Sequence, residues 1–250
     1  ALVTGAGRNI GRGIAHTLAK QGFALAINVR ASVSEGQAVV DELLALGTPA
    51  LLCVADVTDR QRVQGMMDLI QSTWGRLDVL VNNAAIRREA PIEEVSVEDW
   101  RNTLAVVLDG AFYCSQAALP MLRQSPMGAV INIGGLTAHT GAMNRPHVVT
   151  AKSGLVGLTR ALAHDLAPGI TVNCVAPGFM ETEMIRALAT YEVIKERALA
   201  VESERGLEDG VRIPVLSPGD AGRMILIVGI RILPFRELEG VNLLPGERIP

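Results

Sequence analysis

Ala1-Leu2-Val3-Thr4-Gly5-Ala6-Gly7-Arg8-Asn9-Ile10-Gly11 is the stretch on which the reading of this chain turns. An apolar run ends in a glycine-rich turn, after which Ile10, Ile14 and Leu18, with Ala15 and Ala19, recur at the spacing of one helix face. Glycine lets the backbone turn sharply and come close to an anion. The helix that follows offers unpaired amides and a partial positive charge at its start. Strand, turn and helix in this order suit a pyrophosphate. An apolar strand that starts at residue 1 predicts that a few residues precede it.

Working outward, the same rhythm repeats. Phe23 to Val29, Ala50 to Val54, Leu77 to Val81, Ala129 to Ile133 and Ile170 to Val175 read as further strands. Between them, Ser32-x-x-Glu35 and Thr58-x-x-Gln61 carry capping-box patterns. Val39, Leu43 and Leu46 mark the first of those helices, and Val63, Met67, Ile70 and Trp74 the second. A long helical region runs from about Ser96 to Arg123, and another from about Pro146 to Leu166. Strands alternating with helices predict right-handed crossovers and a doubly wound α/β parallel sheet covered on both faces. No linker, repeat or low-complexity stretch interrupts the chain, so residues 1–250 are expected to form one domain. The last part is less regular: residues 181–216 are expected to cover a pocket, and Val241 to Leu244 reads as a closing strand.

Composition narrows the classes of function. The 250 residues carry 23 basic and 26 acidic side chains, a formal charge of −3, which argues against a nucleic-acid grip. Cys53, Cys114 and Cys174 lie far apart without metal-ligand spacing, so neither a metal site nor a disulfide framework is expected. The longest apolar run, Met224 to Ile230, falls far short of the roughly 20 residues a membrane helix needs. The N-terminus shows no basic stretch leading into a cleavable apolar one. A soluble, reducing, cytoplasmic setting is the expectation.

Four motifs now fall into order. Thr4, Gly5 and Gly11 outline a glycine motif in which Asn9 stands at the middle glycine; Asp56 and Val57 follow the third strand. Asn82-Asn83-Ala84-Ala85 follows the fourth, and Pro177-Gly178 with Thr182 follows the sixth. With these motifs the chain resembles the short-chain dehydrogenase/reductase family over about its first 185 residues. The body is most similar to the ketoacyl-carrier-protein reductases. The resemblance implies a Rossmann-type fold, a homo-oligomer (tetramer or dimer), and a small-molecule carbonyl or alcohol substrate. It implies cofactor contacts at Gly5, Arg8, Asn9, Ile10, Gly11, Arg30, Asp56, Val57, Asn82, Ala84, Lys152, Pro177, Gly178 and Thr182, with Asp56 at the adenine and Thr182 at the nicotinamide amide.

Electrostatics then selects the nicotinamide cofactor. Members that read NAD place a carboxylate at the end of the second strand for the ribose 2′-hydroxyl. Here that position is Val29, followed by Arg30, with Arg8 in the glycine turn. Two guanidiniums suit a 2′-phosphate, so NADP (NADPH) is expected.

The catalytic pattern that the resemblance implies is broken. Lys152 matches the family's lysine, which binds the nicotinamide ribose. Four residues before it, the proton-passing tyrosine is replaced by Val148. Thirteen residues before that, the carbonyl-orienting serine is replaced by Gly135, and the relay asparagine is replaced by Val107. Tyr113 does not stand four before a lysine; Tyr191 does, before Lys195, but in the charged segment 181–216 rather than on the helix after the fifth strand. His147 and His139 are the candidate substitutes, because imidazole titrates near neutrality. On a helix, however, His147 lies about 140° around from Lys152. Two functions follow. One is an NADP-dependent oxidoreductase with an altered proton donor; the other is a non-catalytic NADP-binding sensor or partner subunit.

Overall fold

The computed structural model describes residues 1–177 and the backbone of 226–229. Their strands are β1 (Leu2–Val3), β2 (Leu25–Val29), β3 (Ala50–Val54), β4 (Val79–Asn82), β5 (Ala129–Ile133), β6 (Thr171–Pro177) and β7 (Leu226–Gly229). All pair in parallel, in the order β3-β2-β1-β4-β5-β6-β7. The chain winds outward from β1 to β3, then crosses back to β4 and winds the other way. This is the doubly wound Rossmann-type sheet that the alternation predicted.

Side chains alternate across the sheet with the period of two that a strand imposes. Leu2 and Leu80 join one buried cluster with Met67, Ile70, Cys114 and Leu122. Their neighbours Val3, Val79 and Val81 join the opposite one with Ala15, Val39 and Leu43. Each strand is therefore apolar on both sides, as a sheet sandwiched between helices requires. Helices α1 (Asn9–Lys20) and α2 (Val33–Ala45) cover one face. The other face carries α3 (Arg60–Trp74), α4 (Val97–Leu104), α5 (Gly110–Leu122) and α7 (Pro146–Asp165); the short α6 (Thr137–Thr140) precedes α7.

Five local readings change. The region predicted as one helix from Ser96 to Arg123 is interrupted by a π-helical stretch, Ala105–Asp109, between α4 and α5. By length and composition alone, Val97–Leu122 is apolar enough to cross a membrane. Its Val106, Cys114, Ala118 and Leu122 are packed into the core beside the sheet, which accounts for that apolarity. At α3 the cap is Asp59 rather than Thr58: its carboxylate accepts from the amides of Gln61 and Arg62. Ser32 precedes α2 without a side-chain capping bond. Finally, the seventh strand lies at Leu226–Gly229, within the run that was weighed only as a membrane span. The closing strand expected at 241–244 and the pocket-covering segment 181–216 lie outside the described residues, as do Gly178, Thr182 and Tyr191.

Candidate active site

The strand order reverses between β1 and β4, and a crevice opens there beyond the carboxyl ends of the strands. Two loops meet across it. Thr4, buried at the end of β1, accepts through Oγ1 from the amides of Asn83 and Ala84, both at 3.0 Å. In return the Asn83 amide donates to the carbonyls of Thr4 (2.8 Å) and Gly5 (3.0 Å). These four bonds fix the glycine turn to the loop after β4. Asn83 was not among the expected site residues, although its motif was recognised.

Within the turn, the geometry explains the residue types. Gly5 has φ +61, and a Cβ there would stand 2.9 Å from Ala84 Cα. A Cβ at Gly11 would lie 2.5 Å from the Gly5 carbonyl and 2.6 Å from Asn83 Nδ2. Asn9 occupies the middle glycine position at φ 49, and asparagine is among the few non-glycine residues that adopt this conformation readily. The substitution therefore keeps the turn.

Helix α1 begins at Asn9 with no side chain capping it and no acidic residue in its first turn. By contrast, α3 is capped by Asp59 and α4 by Ser96. The amides at the start of α1, including those of Ile10 and Gly11, thus face the crevice region with a partial positive charge and no carboxylate of their own helix. The residues present fit a pyrophosphate.

Around the place expected for the ribose phosphate, Arg30 directly follows β2, is exposed, and makes no ion pair among the described residues. Val29 is buried. Arg8 is exposed and lies 3.8 Å from Glu35 Oε1. The sequence reading counted two guanidiniums and no carboxylate; it took Glu35 for a capping residue and missed this neighbour.

Two further expected residues are engaged elsewhere. Asn82 is buried, and its amide donates to Asn132 Oδ1 (2.9 Å) and Ser115 Oγ (3.1 Å), bracing β4 to β5 and α5. Its Oδ1 is buried without a hydrogen-bond partner. Asp56 accepts through Oδ1 from the amide (2.9 Å) and hydroxyl (2.8 Å) of Thr58, closing a turn after β3. Val57 is buried beneath Gly110 of α5.

The other half of the crevice is apolar at the three positions where the resemblance implies polar groups. Val107 lies in the π-helical stretch and packs with Ala111, Ala151 and Leu155. Val148 is buried on α7, and Gly135 follows β5. Lys152, one turn beyond Val148, is buried, and its Nζ donates to the carbonyl of Ile133 at the end of β5. Burial lowers its pKa from 10.5 to about 8, opposed by the nearby Cys174. Cys174 itself is a free thiol whose pKa is raised, chiefly by burial.

His147 is fully buried, and neither ring nitrogen has a hydrogen-bond partner. It stands four and eight residues before Ala151 and Leu155, on the helix stripe that packs against Val107. A proton donor must meet its acceptor, and this placement turns His147 toward the interior of the fold. His139 lies exposed in α6.

Comparison with known proteins agrees with this geometry. The family model described as short chain dehydrogenase matches residues 1–192. The chain is 40% identical over 200 residues to the 3-oxoacyl-acyl-carrier-protein reductase FabG of Staphylococcus aureus (strain Mu50), covering 80% of each chain. To the FabG of Escherichia coli (strain K12) it is 39% identical over 190 residues, 76% of each. A crystal structure of a short chain dehydrogenase from Burkholderia cenocepacia J2315 in complex with NADP is 32% identical. It superposes with a TM-score of 0.76 over 91% of this chain and 95% of its own.

Proposed function

The chain belongs to the short-chain dehydrogenase family, and on that footing we propose that it is an NADP-dependent oxidoreductase. In this reading, hydride passes between nicotinamide and a carbonyl or secondary alcohol. The observation that carries the reading is the uncapped start of α1, stapled through Thr4 and Asn83 to the loop after β4 at the reversal of strand order. The glycine turn and the amides of Ile10 and Gly11 would hold the pyrophosphate, and Arg8 and Arg30 the 2′-phosphate. Lys152 would hold the nicotinamide ribose. Bound there, the reduced cofactor supplies the hydride.

This chain's own residues do the rest. Thr4 and Asn83 hold the turn in its binding shape, so little order has to be created on binding. Arg30 has no carboxylate partner among the described residues and is free to take a phosphate. Arg8 must leave Glu35, a weak exposed pair, to do the same. Charge-assisted bonds of this kind contribute about 1.5–3 kcal/mol each. Arg30→Ala should therefore weaken NADPH binding about tenfold or more while leaving NADH nearly unchanged, read by nicotinamide fluorescence titration. Equal loss for both cofactors would refute the phosphate assignment.

Val107, Gly135 and Val148 favour a second reading, in which the chain binds NADP without turning over, as a sensor or partner subunit. Carbonyl-dependent consumption of NADPH separates the two. The panel should begin with 3-oxoacyl compounds, which the named relatives suggest, and include simple ketones and diketones.

A further inference from the structure

If the chain reduces carbonyls, as the preceding reading holds, something must protonate the substrate oxygen. The described residues leave few groups for this. Val148 and Gly135 carry no proton to give. His147 is fully buried on α7, and burial raises the pKa of the Cys174 thiol, which holds its proton too tightly. Thr137 and Thr140 offer hydroxyls far too weakly acidic to serve.

Lys152 remains. Its ammonium sits at the end of β5, one turn from Val148 on α7 and two residues from Gly135 along the strand end. Those two positions are the ones at which the resemblance implies groups that meet the substrate oxygen. The Lys152 Nζ makes one hydrogen bond, to the Ile133 carbonyl, and no ion pair among the described residues. An ammonium has three donors. Among the described residues, two N–H groups are therefore uncommitted on a cation removed from water without a carboxylate beside it. Such a group is acidified by its surroundings, because burial disfavours the charged form. Val148 and Gly135 add to this: apolar replacements leave nothing polar at their positions to solvate the cation. The substitutions that remove the usual proton donor are thus the ones that make the lysine a better one.

We propose that Lys152 is itself the general acid of this enzyme, delivering its ammonium proton to the substrate oxygen. The Nζ–H bond breaks as the O–H bond forms. The electron pair for that bond comes from the C=O π bond, displaced as the carbonyl carbon takes the hydride supplied by the reduced cofactor. The carbonyl is reduced, the nicotinamide is oxidised, and the neutral amine regains its proton from water. Lysines brought to near-neutral acidity by burial are suited to this work.

The test separates charge from proton transfer. Lys152→Arg keeps the cation that would bind ribose but cannot release a proton near neutrality. It should bind NADPH within about threefold of the parent, by fluorescence titration, and lose about 10²-fold or more in kcat. The parent's kcat should be level below about pH 8 and fall about tenfold per unit above it, since the donor must be protonated. Independently of turnover, side-chain NMR on lysine-labelled protein, free and with NADPH, should show one amine titrating near 8 that is absent from Lys152→Arg.

Near-parental kcat in Lys152→Arg, a lysine still charged at about pH 10, or a limb near the imidazole range of about 6.5 would each overturn the proposal. Those results leave the oxidoreductase reading intact. Should Lys152→Arg fold poorly, the parent's pH profile and titration decide. NADPH binding with no carbonyl reduced anywhere on the panel would overturn both.

Discussion

The two halves of the crevice differ in what holds them together. On the β1–β4 side the expected polar residues are present and mutually bonded: Thr4, Asn83, Gly5 and Ala84 form a closed network. On the β5–α7 side, the three positions where the resemblance implies polar groups are Val107, Gly135 and Val148, and Val107 is part of a small apolar cluster. The first half is shape-determined, since binding a dinucleotide depends on where backbone amides point. The second half is chemistry-determined, since proton transfer depends on individual side chains. A fold can therefore keep one half and change the other without losing its core.

The largest effect should come from refilling the second half. Val148→Tyr with Gly135→Ser should raise reductase activity on a simple diketone by about 10²-fold, the scale of a restored general acid. Position 135 has room: among the described residues, a Cβ there would find only Thr137 Oγ1, at 3.8 Å. No gain in NADPH oxidation would mean that the difference between the halves extends beyond these two side chains.

Breaking the first half comes next. Gly11→Ala drives a methyl group into the Gly5 carbonyl and the Asn83 amide. Overpacking of this kind costs about 1–3 kcal/mol, so NADPH affinity should fall about 5- to 100-fold in a fluorescence titration. Parental affinity would show the turn to be more pliable than its bonds imply. The smallest change is Val107→Asn. It places an amide among Ala111, Ala151 and Leu155 and should cost about 1–3 kcal/mol, seen as a lower midpoint in denaturant unfolding. An unchanged midpoint would indicate that the π-helical segment supplies the amide with a partner.

The sheet was legible because its signal is redundant: five residues of β2 or β5 alternate between two cores, and the helices between them repeat the message. The glycine turn was legible as well, including the tolerance for Asn9, since local conformation selects those residue types. What escaped depends on partners distant in the chain. Asn82 was assigned to the cofactor, yet its amide is spent on Asn132 and Ser115, 50 and 33 residues away. Glu35 fitted a local capping pattern, while its carboxylate meets Arg8 from another helix. The π-helical interruption gave no periodic signal that a single apolar face from Trp100 to Leu108 would reveal. The burial of His147 follows from α7 packing against that interruption.

That interruption also fixes where the chain tolerates a change in length. A π turn accommodates a surplus residue inside an otherwise continuous helix. Removing one position between Ala105 and Asp109 should relax the bulge and leave Cys114, Ala118 and Leu122 facing the sheet. The same excision inside α5 would swing every later side chain by about 100°, pulling that row out of the core.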